Sequence, residues 1–148
     1  MRIEAIPFNH LGAWRVYAIC RLRQQVFVIE QDCVYPDLDG RDLEVGTRHV
    51  LMTDDDDELV GYARVLDDTL AGQGVWRIGR VILVPEVRGR GLADPLMETA
   101  LQVCVDRDVV LDAQAPLAPW YASLGFAVDG DEFLEDGILH VPMRLARS

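Results

Sequence analysis

Lysine is absent from the 148 residues, so all 14 basic side chains are arginine. That absence closes every chemistry built on an ammonium side chain: a phosphate-loop lysine, a Schiff base, or self-acylation at a side-chain amine. Cysteine is scarce and odd in number, with Cys20, Cys33 and Cys104 far apart, so no disulfide framework organises the chain and reduced thiols in the cytoplasm are expected. The opening MRIEAIPFNH lacks the apolar core of a signal peptide, and no apolar run approaches the ~18 residues a spanning helix requires. Net positive charge is missing too: the formal charge is −11 and the pI about 4.5. Such a chain is repelled by phosphate backbones and anionic lipid, so neither nucleic acid nor membrane is expected as a partner. With half its residues hydrophobic, the chain can bury a core as one domain spanning 1–148.

Strands and helices alternate in the pattern. Residues 2–7 read as a short strand, and Asn9 offers a cap for a helix running to about Ile29. Gln31 to Gly46 carries Pro36, Gly40 and five acids, the composition of an ordered or semi-ordered loop. His49–Thr53 and Leu59–Leu66 follow as strands around an Asp54–Asp57 turn, then Val75–Val84 as a central strand ended by Pro85. A helix is expected over Leu92–Val105, a buried strand over Val109–Ala113 and a short helix over Pro116–Leu124. Two last strands, Phe126–Val128 and Leu139–Leu145, flank an acidic link. The mixture is one α/β unit without repeats.

The most informative stretch is the junction from strand through Pro85-Glu86-Val87 and Arg88-Gly89-Arg90-Gly91-Leu92-Ala93 into helix. Glycines let backbone approach a ligand, and the amides and dipole of the following helix favour an anion there. Residues 77–90 hold Arg77, Arg80, Arg88 and Arg90 against Glu86, a net +3 that leaves −14 for the rest. A basic island on an acidic chain suits one specific anion. A phosphate loop is excluded without lysine, and a dinucleotide fingerprint would need glycine where Asp94 stands.

In this strand-to-helix context Arg88-Gly89-Arg90-Gly91-Leu92-Ala93 resembles the [R/Q]-x-x-G-x-[G/A] segment of the GCN5-related N-acetyltransferases (GNAT). Tyr121-Ala122-Ser123-Leu124-Gly125-Phe126 resembles their Y-x-x-x-G-F segment. Arg23-x-x-Val26-Phe27-Val28-x-Glu30-Gln31, Asp37-x-Asp39-Gly40, Arg48-His49 and Glu135-Asp136-Gly137-Ile138-x-His140 are similar to the ElaA-type branch of small bacterial acetyltransferases. The resemblance implies a mixed α/β fold with a central twisted sheet of about six or seven strands flanked by helices. Acetyl-CoA, the acyl donor, is expected in a V between splayed parallel strands 75–84 and 109–113. It also implies pantetheine pairing along Ile82, Leu83 and Val84, an oxyanion amide near Ile82, and a pyrophosphate wrapped by the amides of Arg88, Gly89, Arg90, Gly91, Leu92 and Ala93. Tyr121 takes the position of the general acid that protonates the thiolate.

The family's usual carboxylate base on the cofactor strand is replaced here by Arg77 and Arg80, leaving Glu30, His140 or a water chain as the base. The histidines and cysteines lack metal-ligand spacing, and a calcium loop counted from Asp37 would meet Arg41 and Arg48 at ligand positions, so no metal is implied. Acids in 32–44 and 129–136 suit a cationic amine, either a small molecule or a peptide. The rivals are a silent acyl-CoA-binding or interaction module on the same fold, and an acidic composition that reflects salt adaptation. Monomer and homodimer are both compatible with the sequence.

Overall fold

The structure, a computed structural model, describes residues 1–147. A single sheet of eight strands carries the fold: β1 (Arg2–Ile6), β2 (Arg48–Thr53), β3 (Leu59–Leu70), β4 (Gln73–Leu83), β5 (Val109–Gln114), β6 (Ala127–Val128), β7 (Phe133–Glu135) and β8 (Ile138–Leu145). Its order is β1-β2-β3-β4-β5-β8-β6, with β7 paired to β8 off that path; among the described residues only β4 and β5 run parallel. Helices α1 (Gly12–Arg23), α2 (Ala93–Val103) and α3 (Ala118–Ser123) cover the faces. Among the described residues no helix is long and apolar enough to cross a membrane.

Alternation along the strands divides the core in two. One side packs Val50, Met52, Val65, Ile78, Val109 and Met143 under Leu96, Met97 and Ala100 of α2. The other packs Leu51, Tyr62 and Ile82 under Ile19 and Leu22 of α1, with Val26 and Phe27 just beyond it. Helix α1 starts at Gly12, three residues after the expected cap, because Phe8–His10 form a separate 3-10 turn. Beyond Arg23 the chain widens into a π-helical turn over Gln24–Glu30, with amides reaching five residues back (Gln31 to Val26, Cys33 to Val28). The extra residue per turn is a feature often met at functional sites.

The sheet exceeds the expected six or seven strands because β7 lies inside the acidic link. Asp136 and Gly137, both at positive φ (51° and 79°), make the two-residue turn that joins β7 to β8. Strands β3 and β4 also extend further than expected, closing through Ala71 and Gly72, again at positive φ.

The loop 31–47 is ordered by ions. Arg23, 1% exposed, holds Asp37 at 2.8 Å and also pairs with Asp42. Arg64 of β3 grips Asp39 through both terminal nitrogens at 2.9 and 3.0 Å and reaches Asp42 at 3.2 Å. Arg80 of β4 binds Asp37 at 2.7 Å and lies 3.5 Å from Asp39. Three arginines and three aspartates thus close a ring. Replacing Arg23 by Met leaves the buried Asp37 and the half-buried Asp42 each short of a partner, and urea denaturation is expected to show a loss of about 3 kcal/mol; a loss below about 1 kcal/mol would mean the ring contributes little.

Candidate active site

Strands β4 and β5 pair only at Trp76↔Val109 and Arg77↔Val110, and beyond Arg77 they separate. The closed end is pinned by Trp76, whose amide donates to Asp108 O (2.9 Å) and whose Nε1 donates to Val105 O (2.9 Å), with the Arg107 guanidinium over its ring. The open end is a cleft of about 880 Å³ whose walls include Glu30, Ile82, Arg88, Tyr121 and His140. This is the V expected from the sequence, bounded by the two expected strands.

A bulge decides which backbone groups face it. Arg64 opposes Gly79 and Tyr62 opposes Ile82, so Arg80 and Val81 together stand against Ala63. Past the bulge, the Val84 amide donates to Val60 O (2.9 Å), and antiparallel alternation then turns the Ile82 amide toward Tyr62. The outward amides are therefore those of Val81 and Leu83. In agreement, Leu83 O accepts from Arg88 Nε at 2.8 Å, off the β3 side. Within the expected stretch Ile82 to Val84, the geometry turns the Ile82 and Val84 amides toward β3 and leaves those of Leu83, and of Val81 before it, facing outward.

At the turn into α2, Gly89 and Gly91 sit at φ 76° and 73°, a region costly for other residues, and a Cβ at either would meet nothing within 4 Å. Among the described residues the amides of Gly89, Arg90, Gly91 and Leu92 find no backbone acceptor, and no side chain caps the helix. Open space over unpartnered amides at a helix N-terminus fits a pyrophosphate. Ala93 opens α2, and the Asp94 carboxylate accepts from Trp120 Nε1 (2.8 Å), tying this turn to α3.

The +3 island is a property of the sequence more than of the surface. Arg77 pairs with Asp68 and Asp112, Arg80 with Asp37, and Arg88 with Glu30, leaving Arg90 without an ion pair among the described residues. Of the loop acids, Asp37, Asp39 and Asp42 are held by Arg23, Arg64 and Arg80 and Glu44 by Arg41, while Asp32 makes no ion pair among the described residues.

Tyr121 is 6% exposed, packs against Trp120 and Phe126, and has no hydrogen-bond partner for its hydroxyl among the described residues. Burial pushes its pKa to about 12, so it is protonated at neutral pH. His140 stacks on Phe133, and its Nδ1 donates to Ile138 O at 2.8 Å, which leaves Nε2 as the acceptor. Glu30 spends both oxygens on Arg88, at 2.8 and 3.1 Å. His49 is buried against Tyr62 and Asp42 O, its pKa lowered by that burial, so it serves the core.

A family profile described as "Acetyltransferase (GNAT) domain" matches residues 23–147. Protein ElaA of Escherichia coli is 42% identical over 146 residues, covering 95% of this chain and 93% of that protein. The chain belongs to the GNAT family. A UPF0039 protein of Mycobacterium tuberculosis is 45% identical over 133 residues, 90% of this chain and 85% of the relative. The crystal structure of Escherichia coli ElaA superposes with a TM-score of 0.90 at 37% identity, covering 98% of this chain and 99% of that one. The crystal structure of an acyl-CoA N-acyltransferase from Pseudomonas aeruginosa gives the same TM-score and identity, covering 99% and 100%.

This GNAT cleft also carries an acid-sensitive element. Burial alone would raise the Asp39 carboxyl, but the hydrogen bonds and charge of Arg64, the Arg41 amide and the Arg80 charge outweigh it and bring it to about 2. Asp68 reaches about 2 in the same way, burial being outweighed chiefly by Arg77. Both pKa values are depressed on folding, so their stabilisation is present above the unfolded value of about 4 and is lost as pH falls toward 2. Thermal melts from pH 7 to 2 are expected to fall through that window, and Asp39→Asn should flatten part of the fall.

Proposed function

We propose that this chain is an N-acetyltransferase that moves the acetyl group of acetyl-CoA to a primary amine by direct attack. The observation that carries this reading is the coincidence at one cleft of the splayed β4–β5 pair, the open glycine turn on α2 and a buried, protonated Tyr121. The donor supplies an activated thioester. The amides of Gly89, Arg90, Gly91 and Leu92 hold the pyrophosphate, with Arg88 and Ala93 completing the turn. Val81 and Leu83 pair with the pantetheine arm, and an outward amide of β4 stabilises the developing oxyanion.

The Tyr121 hydroxyl gives its proton to the departing thiolate. Between the two expected bases, the geometry favours His140, whose Nε2 is free to accept, over Glu30, which is held in its ion pair. The acceptor is a small-molecule or peptide amine. Glu135 and Asp136, which line the cleft on the β7–β8 hairpin and make no ion pair among the described residues, favour a cationic one.

Acetyl-CoA at ~100 times its Kd should raise the stability by about 2.7 kcal/mol, visible as a higher Tm. Gly91→Glu, which puts a charged side chain at a positive φ in the turn, should abolish that rise; an unchanged wild-type melt at millimolar acetyl-CoA would remove the donor assignment. Tyr121→Phe is expected to keep acetyl-CoA affinity and to lower kcat by ~10²-fold in a thiol-release assay with a panel of amines. A wild-type kcat in that variant would dismiss the general-acid role.

A further inference from the structure

Arg80 stands at φ 54° inside a strand, in the left-handed region that at such bulges is ordinarily taken by glycine. Holding an arginine there is strained and needs an external restraint. The restraint is on the page. Arg80 Nε donates to Asp37 Oδ1 at 2.7 Å, its Nη2 donates to Asp37 O at 3.0 Å, and its guanidinium lies over the Tyr35 ring at 5.8 Å. Asp37 is itself fixed, 6% exposed, by Arg23 through its other oxygen and by the Tyr35 hydroxyl.

We propose that Arg80 is a positioning residue: clamped by Asp37, it holds the β4 bulge that turns the Val81 and Leu83 amides into the acyl-CoA cleft. The side chain acts through the backbone. Two residues opposing Ala63 set the parity of everything from Val81 to Val84. Without the extra residue, a regular ladder would direct those amides at β3 and offer those of Ile82 and Val84 instead. Pairing of β4 with β5 has already ended at Arg77, three residues before the bulge, so the amides it sets lie along the open part of the cleft. Arginine suits the role: its side chain is long enough to reach the loop and matched to a carboxylate in a fork.

The kinetic consequence rests on the acyl-CoA reading above, whereas the backbone consequence does not, so both are measured. In the wild type, cross-strand nuclear Overhauser contacts should pair Tyr62 with Ile82 and Arg64 with Gly79, as the register has them. Arg80→Ala, which keeps the strain and removes the clamp, is expected to lose this pattern, to bind acetyl-CoA at least ~10-fold more weakly and to lower kcat by ~10-fold or more. Arg80→Gly removes the clamp and the strain together, and should keep the pattern and recover kcat to within about threefold of wild type. Asp42→Asn breaks the arginine–aspartate ring away from the bulge; it should lower the Tm while leaving kcat unchanged.

Preserved bulge contacts in Arg80→Ala would overturn the proposal, as would an Arg80→Gly enzyme as impaired as the alanine variant, since the arginine would then act directly on substrate. A wild type that shows the bulge but neither binds nor turns over acetyl-CoA would instead refute the function and leave the clamp standing.

Discussion

A carboxylate buried beside two guanidinium groups has little freedom to move, and Asp37 is in that position between Arg23 and Arg80. Desolvating such groups is costly, so the interaction survives only where every oxygen is matched, and here both oxygens and the neighbouring carbonyl are occupied. Through Arg23 the pair anchors the first helix, through Asp39 and Asp42 it shapes the loop that follows, and through Arg80 it reaches the cofactor strand. The orientation of the β4 amides along the opening between β4 and β5 depends on it.

From that constraint the chemistry of the cleft follows in layers. The bulge faces Val81 and Leu83 outward, the splayed strands leave room for an extended arm, and the glycine turn ends the channel with amides that need an anion. Tyr121 sits where burial keeps its proton, and Trp120 beside it is tethered to the first turn of α2 by Asp94. Such groups are aligned before any substrate arrives, which is how fixed dipoles contribute most to a reaction that develops charge.

How much of this was legible in the sequence depended on range. The glycine turn could be read because its signals are local: Pro85 ends a β-branched run, and Gly89 and Gly91 recur at the entrance to an amphipathic helix. The V was legible only through the resemblance, which named both strands correctly. The ring was not legible, because it joins residues up to 57 positions apart that only the folded sheet brings together, Arg23 and Arg80 among them. For the same reason the pairing of the island arginines could not be read: Arg77 meets Asp68 and Asp112, Arg80 meets Asp37, and Arg88 meets Glu30. Strand β7 was missed although Asp136-Gly137 is a hairpin signal, since the surrounding acids outweighed it. Which amides of the expected stretch Ile82 to Val84 face outward was not legible for a different reason: parity along a strand depends on a bulge whose residue, Arg80, carries no glycine signature.

The measurement that addresses the central claim most directly is a backbone-amide titration of 15N-labelled protein with acetyl-CoA. The largest shifts are expected at Val81, Leu83 and Gly89 to Leu92, with Ile82 and Val84 little moved. Shifts centred on Ile82 and Val84, or none along β4, would contradict it.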